Sequence, residues 1–113
     1  MIEIIEVKKN DIDAQLIFNW RNDKVTLKNS FRNTEYKWDE FKKIFYEKYF
    51  ENQVKPCFAL YNNEKIAFLG SRDVDNSNII DISINLDSKF RGKRLSVLII
   101  KKYLEFIKIN YSN

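Results

Sequence analysis

The chain has 113 residues, of which 44% are hydrophobic and 15% aromatic, and its formal net charge is +4. The length fits a single domain over residues 1–113, and the hydrophobic content excludes a disordered chain. The only cysteine, Cys57, excludes an intrachain disulfide and is typical of the reducing cytoplasm. The N-terminus lacks a signal-peptide pattern, and no apolar run approaches the roughly 18 residues of a membrane span. We therefore expect a soluble cytoplasmic protein with no membrane partner.

The first half of the chain predicts one strand and two helices. Residues 2–7 alternate in hydrophobicity and predict a short strand. Its inward-facing residues are Ile2, Ile4 and Val7. A helix capped by Asn10 or Asp11 follows and ends near residues 21–23. Its apolar stripe consists of Ile12, Leu16 and Trp20. After a polar connector, a second amphipathic helix is predicted over residues 37–50. Its core residues are Trp38, Phe41 and Phe45.

The second half begins with three predicted strands. Residues 57–61 and 65–71 form two of them, joined by a tight turn at residues 62–64, where asparagines tolerate left-handed backbone. A polar turn at residues 75–78 leads into residues 79–86, which alternate strictly. One face of this strand carries Ile80, Ile82, Ile84 and Leu86. The other face carries Asp81, Ser83 and Asn85.

From about residue 93 the apolar period becomes helical, which predicts a helix that packs on the sheet. Its apolar stripe consists of Leu95, Leu98, Ile99, Tyr103, Phe106 and Ile107. The resulting order is β-α-α-β-β-β-α. This order predicts the α/β class, with helices packed on a mixed sheet.

The segment FRGKRLS, residues 90–96, joins the last strand to this helix. A helix N-terminus presents unpaired N–H groups and partial positive charge, which favour an anion. Gly92 permits positive φ and a close approach of phosphate to the backbone. Residues 87–102 carry a net charge of +5, so the rest of the chain is slightly acidic. This pattern favours one discrete phosphate-bearing ligand; the alternative is a solvated lysine-rich helix face.

A three-stranded meander, a basic turn and an amphipathic helix in this order resemble the acyl-CoA-binding half of the GNAT superfamily of N-acetyltransferases. The family motif, Gln/Arg-x-x-Gly-x-Gly/Ala, aligns with Arg91, Arg94 and Ser96. WRND at residues 20–23 and the aromatic residues of the second helix resemble members that acetylate amino sugars in surface-glycan pathways. The similarity extends over about residues 1–110.

The resemblance implies acetyl-CoA as co-substrate and a set of residues that bind it. The pyrophosphate would lie on the turn formed by Arg91, Gly92, Lys93, Arg94, Leu95 and Ser96. The main chain at Ile84, Asn85 and Leu86 would pair with the amides of pantetheine. The acceptor would be the primary amine of a small molecule.

Acyl transfer to an amine requires a base, and a chain without histidine must use a carboxylate or a water relayed through one. Asp81 is our candidate, because GNAT members often carry an acid at this position of the fourth strand. The alternative is an ordinary acid on the solvent face of a strand. Arg21 and Asn22 are candidates to contact the acceptor, although residues of this kind also tie helix ends to neighbouring loops.

Two departures from the family pattern lead to a second interpretation. Arg94 stands where the motif has glycine, and the fifth strand and later helix of the family fold do not follow in this sequence. A truncated or degenerate GNAT-like module that binds or assembles without turnover is therefore the alternative function. The open edge of the fourth strand predicts a homodimer, or a partner chain that completes the sheet.

Two further ligand classes are not expected. A nucleic-acid-binding module rests on net charge alone, and nucleic acids usually require a broad basic face. Cysteine, histidine and carboxylates do not occur at metal-ligand spacing, so we predict no metal.

Overall fold

A computed structural model describes residues 1–28, 34–73 and 80–111. Strand β1 is followed by three helices, three strands, a short 3₁₀ turn and a final helix. The bounds are β1 Ile2–Glu6, α1 Asp11–Arg21, α2 Lys24–Lys28, α3 Trp38–Lys48, β2 Cys57–Tyr61, β3 Glu64–Asp73, β4 Ile80–Leu86, the 3₁₀ turn Ser88–Phe90 and α4 Ser96–Tyr111. All the predicted elements are present. The short helix α2, in the predicted polar connector, is additional. The predicted turn at residues 75–78 lies outside the described residues.

The four described strands form one sheet in the order β1-β2-β3-β4, and each neighbouring pair is antiparallel. Asn62 and Asn63 join β2 to β3 with φ values of 52° and 67°. Both residues therefore adopt the left-handed backbone that a two-residue hairpin turn requires. The predicted α/β class is confirmed.

The sheet separates two hydrophobic cores. Helix α4 covers one face, where its Ile99 and Tyr103 are fully buried. Helices α1 and α3 cover the other face, where they bury Trp20, Phe41 and Phe45 as predicted. Because successive residues of a strand point to opposite faces, β2 contributes to both cores. Cys57 and Ala59 face α4, whereas Phe58 faces α1 and α3.

Three residues predicted to face inward lie elsewhere. Ile12 is 78% exposed, because α1 turns a different stripe toward the sheet, with Ala14 and Ile17 fully buried. Val7 is buried, but in the core opposite to that of Ile2. Leu98 is 43% exposed on α4. Ile2 and Val7 are an odd number of residues apart, so an extended chain points them to opposite faces of the sheet. For Ile12 and Leu98, tertiary packing turned other residues of the helix toward the core.

Helix α1 is fixed at its start by a buried carboxylate. Asn10 caps the helix through Oδ1, which accepts a hydrogen bond from the Asp13 N–H at 2.9 Å. Asp13 accepts hydrogen bonds from the Lys8 N–H at 2.7 Å and from Lys65 Nζ of β3 at 2.9 Å. A buried carboxylate is stable only with such partners. Asp13 therefore ties the start of α1 to the sheet.

The other end of α1 is attached to the turn after β4. Trp20 Nε1 donates a hydrogen bond of 3.0 Å to Asp87 Oδ2. Asp87 also accepts from the Lys89 N–H at 2.9 Å, and its own N–H donates to the Ile66 carbonyl at 2.7 Å. This places the C-terminal end of α1 beside residues 91–96. None of the described helices is long and apolar enough to span a membrane.

Candidate functional site

A cavity of about 420 Å³ lies between the end of α1, helix α2, the last residues of β4 and the turn before α4. We call it the turn cleft. It is lined by Arg21, Val25, Thr26, Phe68, Ser83, Ile84, Asn85, Leu86, Arg91 and Ser96. Six of the residues named from the sequence are among them, although they come from three separate segments of the chain. The antiparallel meander and the Trp20–Asp87 hydrogen bond bring these segments together.

The main chain of residues 92–98 presents donors beside this cleft. Gly92 has φ of +78° and Arg94 has φ of +59°, so the backbone is left-handed at alternate residues. Helix α4 begins only at Ser96, and its first bond runs from the Ile99 N–H to the Leu95 carbonyl at 2.9 Å. The N–H groups of residues 92–98 donate to no acceptor in the described residues. A helix N-terminus preceded by such a turn favours an anion.

Arg91 differs from the rest of the turn because its side chain is bound to the protein. Its Nη1 pairs with Asp23 Oδ2 at 2.8 Å, and its Nη2 donates to Thr26 Oγ1 at 3.0 Å. Thr26 Oγ1 in turn donates to Asn85 Oδ1 at 3.3 Å. Arg91 thus holds α2 against the turn and β4. In this arrangement the main chain, and not the Arg91 guanidinium, remains free for an anion.

Asp23 contacts both Arg91 and the first residues of α2. Its Oδ2 accepts hydrogen bonds from the N–H groups of Val25 and Thr26 at the start of α2. Burial opposes ionisation of Asp23, but the Arg91 guanidinium and these two N–H groups outweigh it. The pKa of Asp23 is therefore lowered from its ordinary value, and the ionised carboxylate is the stable form.

The remaining residues of the turn have different surroundings. Gly92 is exposed, and a Cβ placed on it would meet no atom within 4 Å. Lys93 and Arg94 are exposed, and the Lys93 ammonium lies 5.7 Å from the centre of the Phe90 ring. Leu95 packs on the core below α4. Lys93 and Arg94 therefore add positive charge at the surface of the turn.

Asp81 lines a second cavity, of about 640 Å³, which we call the larger cavity. Its other lining residues are Arg21, Lys48, Tyr49, Asn52, Val54, Pro56, Phe68, Gly70, Ser71, Arg72, Ile82 and Ser83. Asp81 Oδ2 pairs with Arg72 Nη2 at 2.7 Å, and both side chains are exposed. Arg21, Phe68 and Ser83 line both cavities, so the two spaces adjoin.

Two amide side chains named from the sequence have contrasting environments. Asn22 uses both of its polar groups on Tyr36, because Oδ1 accepts from the Tyr36 N–H at 2.7 Å and Nδ2 donates to its carbonyl at 3.0 Å. This is the arrangement of a helix end tied to a neighbouring segment, and Asn22 does not line either cavity. Asn85 has a buried Nδ2 without a partner among the described residues, at the wall of the turn cleft.

Several residues of the site were not identified from the sequence. Asp23 and Thr26 bind Arg91, Asp87 binds Trp20, and Arg72 pairs with Asp81. Asp23 does lie within WRND, but no local pattern links it to a residue 68 positions later. Contacts of this kind depend on the tertiary fold.

No model of a protein family and no curated protein matches the chain. A domain from Methanocaldococcus jannaschii DSM 2661 superposes with a TM-score of 0.77 at 19% identity, over 98% of this chain and 73% of that one. AAC(6′)-Ib in complex with paromomycin and acetyl-CoA superposes with a TM-score of 0.72 at 14% identity, over 96% of this chain and 67% of that one. An N-acetyltransferase from Staphylococcus aureus Mu50 superposes with a TM-score of 0.68 at 19% identity, over 98% of this chain and 68% of that one.

The fold is that of the acyl-CoA N-acyltransferases. The fold predicted from the sequence is therefore confirmed.

The left-handed backbone at Arg94 leads to a prediction about stability. A residue with a Cβ is strained at φ of +59°, so Arg94→Gly should raise the free energy of unfolding by about 1 kcal/mol. Lys93→Gly is the matched control, because it removes the same charge from a neighbouring residue without positive φ. It should lower the free energy of unfolding by about 0.5–1 kcal/mol. Urea denaturation measures both. Equal effects of the two variants would contradict the strain at Arg94.

Proposed function

We propose that this chain is an acetyl-CoA-dependent N-acetyltransferase that acts on the primary amine of a small molecule. One observation carries the proposal: the N–H groups of residues 92–98 have no acceptor in the described residues and lie beside the cleft at the end of β4. A pyrophosphate is the size and charge of ligand that such a turn can hold. The acetyl-CoA bound by AAC(6′)-Ib, which shares the fold, gives further support.

The residues of the turn cleft suggest how the cofactor would be held. The pyrophosphate would accept from the N–H groups of residues 92–98, with Lys93 and Arg94 adding positive charge. Pantetheine would run along Ile84, Asn85 and Leu86, at the edge of β4 that pairs with no other described strand. The unpartnered Asn85 Nδ2 is a further donor in that wall.

The reaction needs a neutral amine to attack the thioester carbonyl. A C–N bond forms, the C–S bond breaks, and the thiolate that leaves must take up a proton. We propose that Asp81 receives the proton from the amine, directly or through a water, because it lines the cavity that adjoins the turn cleft. Its Oδ2 lies 2.7 Å from Arg72 Nη2, so a proton transfer to Asp81 would take place beside this exposed ion pair.

The acceptor class rests on the sequence. The segment at residues 20–23 and the aromatic helix α3 resemble GNAT members that acetylate amino sugars, so an amino sugar linked to a nucleotide is the first class that we propose to test. We propose a cytoplasmic location because the free thiol of Cys57 fits a reducing compartment.

Acetyl-CoA should stabilise the protein against heat. At about 10 times its Kd, a ligand contributes roughly 1.4 kcal/mol, which corresponds to a rise in Tm of about 5 °C. Gly92→Val should abolish this rise, because a side chain there occupies the open space in front of the turn and strains a backbone with φ of +78°. Thermal scans with and without acetyl-CoA, each compared with the ligand-free variant, make the measurement. No rise in the unsubstituted protein at millimolar acetyl-CoA would contradict the proposal.

Asp81→Asn should reduce turnover by about 10²-fold or more while leaving the Kd for CoA unchanged, because the variant loses a base but keeps the turn. Asp39→Asn, an exposed acid on α3 that lines neither cavity, is the matched control. Turnover is followed by release of free CoA thiol. An undiminished rate in Asp81→Asn would remove this residue from the mechanism.

The alternative is a GNAT-like module that binds CoA or a partner without turnover. Arg94 at the motif glycine and the Asp81–Arg72 ion pair both favour it. CoA binding without release of thiol across a panel of amines would support this alternative over the enzyme.

We also propose that the open edge of β4 is covered by a second copy of the chain or by a partner. Among the described strands β4 pairs only with β3, and unpaired strand edges tend to be covered. Light scattering at increasing concentration should show a dimer in the absence of other proteins. A monomer at high concentration would leave only a separate partner chain as the cover.

A further inference from the structure

The Arg21 guanidinium is a half-buried charge without a carboxylate partner. Arg21 ends α1 and lines both the turn cleft and the larger cavity. It makes no salt bridge with a described residue, and its Nε is buried without an acceptor in the described part of the chain. Half-buried charges are costly unless they are paired and hydrogen-bonded. An unsatisfied donor of this kind calls for an explanation.

Aromatic rings hold this guanidinium in position. Its central carbon lies 5.7 Å from the centre of the Phe68 ring and 6.0 Å from that of Tyr49. Both rings line the larger cavity, and such stacking favours a cation. The Tyr49 phenol also forms a side-chain hydrogen bond with the guanidinium, but Nε is left without an acceptor among the described residues. Burial raises the pKa of the Tyr49 phenol above its ordinary value of 10, against the effect of the Arg21 charge, so this phenol stays neutral and does not neutralise Arg21.

The other charges of the larger cavity leave Arg21 uncompensated. Among the described residues that line it, Asp81 is the only acid, and its Oδ2 is already paired with Arg72 at 2.7 Å. Lys48 contributes a further positive charge at the rim, only loosely paired with Glu51 at 3.7 Å. The cavity is therefore a space of net positive charge beside the proposed base.

We infer that the acceptor amine carries an anionic group, a phosphate or a carboxylate, and that Arg21 binds this group in the larger cavity. The planar fork of a guanidinium matches the oxygens of either group. The description of the ligand as the acceptor rests on the proposed function. The anion of the cofactor has its own donors at residues 92–98, so the Arg21 site is a second, separate anion site.

The test follows the side-chain Nε–H signal of Arg21 by NMR while inorganic phosphate, and separately acetate, is added in the presence of saturating CoA. We expect a saturable shift of this signal and of the nearby main-chain signals of Phe68 and Ser83. The anion that binds with the lower Kd identifies whether the acceptor carries a phosphate or a carboxylate. The amide signals of residues 92–96 report CoA binding in the same spectra. A failure of the proposed function is therefore seen separately from a failure at Arg21.

Variants of Arg21 test whether its guanidinium is the group that binds the anion. Arg21→Gln should weaken anion binding about tenfold or more, measured on the Phe68 and Ser83 signals. Arg21→Lys keeps the charge and should weaken binding less, which preserves the test if the glutamine variant does not fold. Lys101→Gln removes the same charge from exposed α4 and should change nothing.

Three results would overturn the inference. The Arg21 signal could remain unmoved by both anions, which would make the residue a structural cation stacked on two rings. Lys101→Gln could weaken anion binding as much as Arg21→Gln, which would show that the overall charge of the protein attracts the anion and that Arg21 does not bind it specifically. Saturating CoA could abolish a shift that the same anions produce in its absence, which would assign Arg21 to the cofactor.

Discussion

The ion pair between Asp23 and Arg91, at 2.8 Å, joins the two parts of the chain that form the candidate site. Asp23 lies between α1 and α2, whereas Arg91 begins the turn before α4. Their contact, extended through Thr26 to Asn85, fixes α2 against the end of β4. Without it, the turn cleft would lose one wall. The same carboxylate accepts the N–H groups at the start of α2, so one side chain both starts a helix and positions the turn.

This contact also determines which groups are left for a ligand. The Arg91 side chain is committed to the protein, and the main-chain donors of residues 92–98 are not. Backbone donors at a helix N-terminus are fixed in direction by the fold, so little order is lost when they bind an anion. Positive φ at Gly92 and Arg94 delays the start of α4 until Ser96. The N–H groups of residues 92–95 therefore precede the helix, and those of residues 96–98 lie in its first turn, where no intrahelical acceptor is available. A glycine at residue 94 would allow this backbone without strain, and the arginine adds charge at some cost in stability.

The two cavities differ in what surrounds them. The turn cleft has Arg91, neutralised by Asp23, and apolar residues of β4. Among its described lining residues, the larger cavity has one acid, which is paired with Arg72, and Arg21, which makes no salt bridge with a described residue. Arg21, Phe68 and Ser83 belong to both, so a ligand in one cavity would contact the side chains that line the other. This arrangement suits a reaction between two molecules that approach from different sides.

Local sequence determined most of the secondary structure, since all the helices and strands except the short helix α2 follow from the spacing of their apolar residues. It also determined the basic turn at residues 91–96, because glycine, arginine and lysine are adjacent there in the chain. The tertiary structure decided which apolar residues are buried: periodicity predicted Ile12 to face inward, yet it is exposed, and Ile17 is buried against the sheet. It also decided the partners of charged groups, such as Asp23 for Arg91 and, for Arg21, two aromatic rings with no acceptor for Nε among the described residues. The physical reason is range, because periodicity and capping act within a few residues, whereas ion pairs and packing join residues that only the folded chain brings together.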